Sequence, residues 1–394
     1  MTHRPLAGLK VVGFDHALTA SYCTYQLGLL GADVVKVESP GGDFTRRWGG
    51  TREQIKRGFG DGFMAQNAGK YCVCIDLEKT QGREIALKLI AGADVVVENR
   101  RPGVMDEMGL GYQDAVKVNP RIIYASISGY GATGPDAGRP AFDDIIQGTS
   151  GFMCTNPTSE GPGRAGGPVL DYATGLHGVT AVMAALMTRE QTGESQHLDI
   201  AMQDTAMALM SRLVTETANT GRLGSFSGNR SGVAAGRFAT ADGFVMLAAY
   251  MPPQLRRLVE VLGLEKYTAL SDRDLMKSGD ELTAAIEEGL LAKTSEDWDA
   301  IFVAGGVIGG AVRDMSQTLA TGQPEARGFL SEIETPLGRY QVPALGFVWN
   351  GESIGPTRSV STLGEDTRSI LTQIGYDSAS IDVFIEDGVV SESA

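Results

Sequence analysis

The chain has 394 residues, 42% apolar and 21% charged, with a formal net charge of −14. This length predicts two domains rather than one core, and the acidic balance argues against nucleic acid or an anionic membrane as a partner. Four cysteines without paired spacing, and four histidines outside any tight His/Cys/carboxylate cluster, predict reduced thiols, a cytoplasmic chain and no metal site. No stretch is expected to reach the roughly 20 apolar residues that span a bilayer. The opening MTHRPLAGLKVV lacks the basic-then-apolar order of a signal peptide.

The elements follow in chain order. Val11–Phe14 is a short apolar strand, Ala20–Leu30 has helical spacing closed by Gly31, and Val34–Val37 is a second strand ended by Pro40-Gly41-Gly42. YCVCIDL as strand, TQGREIALKLIAGA as helix and DVVVEN as strand repeat the pattern. RIIYASISGYG adds a buried strand running into a Gly-rich turn. Cys72 and Cys74 fall on one strand face, where packing accounts for them. Strands alternating with helices predict a parallel, doubly wound sheet whose ligands lie at the carboxyl ends of the strands. A helix is expected over about Tyr172–Thr188, and a second over DTAMALMSRLVTETAN. GRLGSFSGNRSGVAAGRF is expected as a long loop, TADGFVMLAAY as a hairpin, and Pro253–Leu262, Asp280–Leu291 and Thr294–Ala304 as helices. The tail LGEDTRSILTQIGYDSASIDVFIEDGVV is again helical. The expected division is a large domain from 1–224 and 331–394 and a smaller α+β domain over 225–330.

Asp171 is singled out by its setting. A Gly-Pro loop precedes it, and the helix behind it is built from Gly175, Gly178, Ala181, Ala184 and Ala185, so that helix must pack closely against a neighbour. Asp before a helix is commonly an N-cap, and that alternative stays open. A carboxylate held ionised by the helix dipole and local N–H donors is a poor proton donor but an available nucleophile. His177, six residues on, lies about 120° around the helix and is badly placed as a base for Asp171. Basic spots for an anionic ligand are Arg46 and Arg47, Arg100 and Arg101, and Arg139.

PLAGLKVVGFDHALTASYCTYQLGLLGADVVKVESPGGDFTR, IDLEKTQGREIALKLIAGADVVVENRRPGVMDEMGLGY, NPRIIYASISGYGATGP, PVLDYATGLHGVTAVMAAL and LGEDTRSILTQIGY, in that order along the chain, resemble the family III CoA-transferases. The resemblance implies a large Rossmann-like domain from both chain ends, a small central domain, and two copies interlocked as a homodimer. It implies an enzyme using coenzyme A as acyl-CoA, together with a small carboxylic acid. Its nucleophile falls on Asp171, which passes through a mixed anhydride and an aspartyl-CoA thioester. It places coenzyme A contacts on Ile75, Leu77, Asn99, Arg100, Arg101, Arg139 and Phe142, and the acyl site on His16, Ala17, Leu18, Thr19 and Gly232. Three departures matter. Formyl-CoA transferase has Gln where this chain has Leu18, which favours an acid larger or less polar than formate or oxalate. An Arg near its coenzyme A phosphates falls on Glu107, so Arg100, Arg101 or Arg139 must supply the charge. Its glycine-run lid is represented here by Gly228, Gly232 and Gly236 alone.

Two alternatives remain at this level. The α-methylacyl-CoA racemases of the same fold carry a His where RPAFDDIIQ has Phe142, and Phe142 cannot move a proton. A coenzyme A-binding protein without catalysis is the other. A dinucleotide oxidoreductase is disfavoured, because the first strand ends in GFDHALTA without a G-x-G-x-x-G turn.

Overall fold

The computed structural model describes residues 4–222 and 230–393. It forms two compact units, one from Met1–Phe152, Arg164–Thr215 and Pro324–Ala394 and a smaller one from Met153–Gly163 and Glu216–Gln323. The division expected between 224 and 225, and Gly228, lie outside the described residues.

The larger unit is built on a seven-stranded sheet: β1 (Lys10–Phe14), β2 (Asp33–Glu38), β3 (Tyr71–Ile75), β4 (Val95–Glu98), β5 (Ile123–Ser128), β6 (Gln196–Ala201) and β7 (Val390–Ser391). Their spatial order is β7-β3-β2-β1-β4-β5-β6. The first six are parallel, and β7 runs antiparallel along β3. The strand alternation sends side chains to two cores. Val11, Val95, Val97, Ile123 and Ala125 pack with α1 (Thr19–Leu29) on one face. Val12, Phe14, Val96 and Tyr124 pack with α2 (Thr80–Ala91) and the C-terminal Ile370, Leu371 and Ile381 on the other. Strands buried on both faces read as continuous apolar runs, which is why β1 to β5 are visible in the sequence. The direction of strand addition reverses between β1 and β4, and in sheets of this kind that reversal opens a crevice at the carboxyl ends.

The smaller unit has an antiparallel four-stranded sheet, ordered Gly309–Ala311, Phe244–Ala249, Ala234–Ala239, Arg230–Gly232. Helices Pro252–Val261, Gly279–Leu290 and Ser295–Gly305 supply Leu258, Leu282, Ile286 and Phe302 to its core.

Several sequence expectations are corrected. Ala234–Ala239 is a strand that takes up the end of the expected loop, because six residues pair with Phe244–Ala249 and bury Ala234 and Phe238; partner pairing overrides the weak β-propensity of Ala and Gly. The helix expected over 204–219 breaks at Met210 into Met202–Leu209 and Ser211–Thr220. The helix carrying Asp171, α4, is Val169–Thr192, starting earlier and ending later than expected. At 24 residues it is long and apolar enough to cross a membrane, contrary to the expectation that no stretch approached that length. Here Val182 and Ala185 of α4 join the core beside β1, and Arg189 near its end is paired with Asp94 at 3.0 Å.

Candidate active site

Asp171 reaches α1 through a close helix crossing. A Cβ on Gly175 would lie 2.8 Å from the Thr19 carbonyl oxygen and 3.0 Å from Tyr22 Cδ1, and one on Gly178 3.0 Å from Cys23 Sγ. The missing side chains let α4 settle onto α1, which accounts for the Gly/Ala composition behind Asp171. Thr19 Oγ1 then donates to Asp171 Oδ1, joining the first residue of α1 to the acid. Asp171 is the third residue of α4 and does not cap it; the N-cap position is Pro168. Burial pushes its carboxyl up to about 6, with Asp143 and Asp144 adding to the shift and the Thr19 hydrogen bond opposing it. The expectation of an acid held ionised by local N–H donors is corrected in its cause, because those donors are taken by another residue. His177 hydrogen-bonds the Ala173 carbonyl at 3.0 Å.

The loop between β1 and α1 is anchored from below by buried charge. Lys36 Nζ donates to the Asp15 carbonyl at 2.9 Å, is paired with the Asp15 carboxylate, and lies 3.1 Å from Asp43 Oδ2. Burial raises the Asp15 carboxyl, but Lys36 and Lys70 outweigh it and hold it well below the usual range. Asp43 Oδ2 also accepts the Ala17 N–H at 3.1 Å, holding Ala17 in the left-handed region at φ 60°. Such a conformation in a non-glycine residue persists only where its surroundings over-determine it. His16 packs edge-on to Phe44 with ring centroids 5.1 Å apart. Leu18 is buried at the N-cap of α1.

Asn99, after β4, accepts from His16 N at 2.9 Å and donates to His16 O at 2.7 Å. This pair of hydrogen bonds ties the loop after β4 to the loop after β1. Of the expected residues, His16–Thr19 are consecutive in the chain, Asn99 bonds to the first of them and Asp171 to the last. The others are spread along the carboxyl edge. Arg100 and Arg101 line a small cavity of about 80 Å³ with Glu98, Tyr112, His197 and Asp199. Arg100 Nε is buried without a hydrogen-bond partner. Burial pushes the Glu98 carboxyl up to about 7. Ile75 is fully buried and pairs with Val390, while Leu77 packs against the same core. Phe142, at the start of α3 (Asp143–Thr149), is 74% exposed. Arg139 is exposed and 3.7 Å from Asp136, and Glu107 is exposed at the end of the short helix Val104–Glu107. Gly232 belongs to the smaller unit, opposite Ala235.

Sequence reasoning missed Asp143, Gln147, Lys36 and Asp43. Asp143 and Gln147 stand four apart, so one helix face carries both, and that spacing was the available signal. Lys36 had none, since a single Lys in an apolar strand shows its partners only after folding.

The sequence profile of CoA-transferase family III matches residues 6–367. The chain belongs to that family. It is an acyl-CoA:carboxylate CoA-transferase, with coenzyme A thioesters as its substrates. It is 33% identical to an acyl-CoA transferase of Fusarium pseudograminearum, over 98% of this chain and 88% of that protein. It is 31% identical to human succinyl-CoA:glutarate CoA-transferase, over 99% of this chain and 90% of the relative. A CAIB/BAIF family protein from Brucella suis has the same fold, with a TM-score of 0.83, 30% identity, and coverage of 95% of this transferase and 100% of that chain. A coenzyme A-binding protein without catalysis is thereby set aside.

Proposed function

We propose that this transferase moves coenzyme A through Asp171. The carboxylate attacks the thioester carbonyl of the donor, giving an acyl-aspartyl anhydride and the coenzyme A thiolate. The thiolate attacks the aspartyl carbonyl, forming an aspartyl-CoA thioester and releasing the donor acid. The acceptor carboxylate then attacks that thioester, and the departing thiolate takes the acceptor's acyl carbon, restoring Asp171. Every leaving group is a carboxylate or a thiolate, so no proton must be moved. A nucleophile that is already an anion near neutral pH needs no neighbouring base.

The observation that carries this reading is the state of the Asp171 carboxylate. It stands at the carboxyl edge of the sheet, makes no bond to its own helix, and is touched by one hydroxyl, Thr19. Arg100 Nε, buried and unpartnered, is a donor that an anionic group of coenzyme A would satisfy. We assign the phosphate charge to Arg100 and Arg101 in place of the residue replaced by Glu107. Ile75 can border the nucleotide only through its backbone. His16, Ala17 and Leu18 are assigned to the acyl site, and Leu77, Asn99, Arg139 and Phe142 to coenzyme A. The names of relatives favour a short dicarboxylic acid such as succinate or glutarate on each side of the exchange. The proposal includes a Rossmann-like large domain, a smaller α+β domain, a cytoplasmic setting and an interlocked homodimer. The exposed apolar residues Leu176, Met187 and Leu209 favour the last.

The test is mass spectrometry of protein mixed with succinyl-CoA in the presence of hydroxylamine. Asp171 should become the hydroxamate, and Asp171→Ala should remain folded while losing transfer by at least about 10³-fold, the scale for removing a nucleophile. Near-normal turnover by that variant rejects the mechanism.

A further inference from the structure

We propose that Asp143 is the positioning residue of the nucleophile: it caps α4 in place of Asp171 and so leaves the Asp171 carboxylate free to attack. The inference rests on the assignment of Asp171 as nucleophile.

An acid in the first turn of a helix is usually drawn to the free N–H groups there. In this protein those groups are already satisfied from another element. Leu170 N and Asp171 N both donate to Asp143 Oδ2, at 2.7 and 3.0 Å. Val169 N donates to the Gly167 carbonyl at 2.8 Å, and Pro168 has no N–H to satisfy. Gln147, one turn along α3, donates to Asp143 Oδ1 and to the Gly167 carbonyl, and accepts from Ala165 N at 2.9 Å. Asp143 is 4% exposed and Gln147 is fully buried. Two side chains of α3 therefore grip four backbone groups between Ala165 and Asp171. This clamp sets where the nucleophile's backbone stands and keeps its side chain from folding back.

The arrangement also changes the chemistry of the acid. Asp171 loses the N–H donors that would stabilise its charge and gains a second carboxylate nearby. The groups that act on it come from three elements: Thr19 from α1, Asp143 and Asp144 from α3, and Tyr172 from α4 itself, which Tyr22 of α1 meets edge-on and Gln66 hydrogen-bonds. Of the two α3 acids, only Asp143 also holds the backbone; Asp144 is half exposed and paired with Arg164. A more basic carboxylate is a stronger nucleophile toward a thioester, so the clamp serves position and reactivity together.

The experiment is a pH profile of kcat/KM for transfer from succinyl-CoA, measured for the unmodified enzyme, Asp143→Asn, Asp143→Ala and Asp144→Asn. The asparagine keeps an oxygen for the two N–H groups but removes the charge. It should move the acid limb down by about one pH unit, a ten-fold change in proton affinity, and Asp144→Asn should move it less. Asp143→Ala loses the clamp and should lower kcat by about 10²-fold, the scale of a misplaced reacting group, with the KM for acyl-CoA little changed. An Asp143→Asn profile superimposable on the unmodified enzyme's overturns the proposal, as does normal kcat in a folded Asp143→Ala. Should Asp143→Ala fail to fold, the asparagine profile decides. Asp171→Ala run alongside separates the two failures: if it transfers normally, the nucleophile is misassigned; if it is inactive while Asp143→Asn behaves as unmodified, only the role of Asp143 falls.

Discussion

At the scale of one residue, Asp171 carries a stability penalty in its charged form. Its carboxyl is raised from 3.8 to about 6, chiefly by burial. Between those two values the folded state holds more proton than the unfolded chain, so stability falls as pH rises through the window. The penalty is complete above about pH 6 and absent below the unfolded value. Asp171→Asn should therefore melt higher than the unmodified enzyme at pH 7.5, by about 2 °C for a gain of the order of 1 kcal/mol. The gap should close as the pH is lowered toward 4. Calorimetry across that range is the check, and an asparagine variant that melts lower at pH 7.5 contradicts the sign. The sequence marked Asp171 by its neighbours alone. Its proton affinity depends on Thr19, Asp143 and Asp144, 152, 28 and 27 residues away, and could not be read from the local stretch.

At the scale of elements, the fit of α4 on α1 is set by absent side chains. At Gly175, alanine would favour the helix by about 1 kcal/mol, while overpacking costs about 1–3 kcal/mol. The nearest obstacle is a backbone oxygen, Thr19 O at 2.8 Å, which cannot swing aside, so overpacking wins. Gly175→Ala should destabilise the protein, and it should lower transfer more than ten-fold by displacing the hydroxyl that meets Asp171. At Gly178 the near atoms are the ends of the Cys23 and Ile127 side chains, which can yield. Gly178→Ala should cost less than Gly175→Ala in both stability and activity. Chemical denaturation with steady-state kinetics on both variants tests the pair, and equal effects would remove the argument from backbone contact. The need for a close neighbour was legible in the glycine and alanine spacing; which helix would be that neighbour was not.

At the scale of the molecule, the larger unit is closed by the far end of the chain. β7 pairs with β3, Val389 O accepts from Asp76 N at 2.8 Å, and Val389 and Val390 are buried. Deleting residues 389–394 removes both buried valines, forfeiting about 1.5–3 kcal/mol of burial each, and frees the start of the loop that carries Leu77. The truncated enzyme should melt lower and show a raised KM for acyl-CoA, with kcat less affected. Thermal melts and saturation curves check this, and an unchanged KM would detach the 75–77 loop from coenzyme A binding. By itself the sequence determined the alternating strands and helices, the central parallel sheet and the acid to watch, because burial on two sheet faces and helical periodicity leave patterns within a few residues of each other. Tertiary structure alone decided that Asp143 caps the helix of Asp171, that Lys36 and Asp43 hold the strained loop at Ala17, and that Asn99 ties the loop after β4 to the loop after β1. Each of these joins groups far apart in the chain, where a hydrogen bond or an ion pair imposes no period on the sequence.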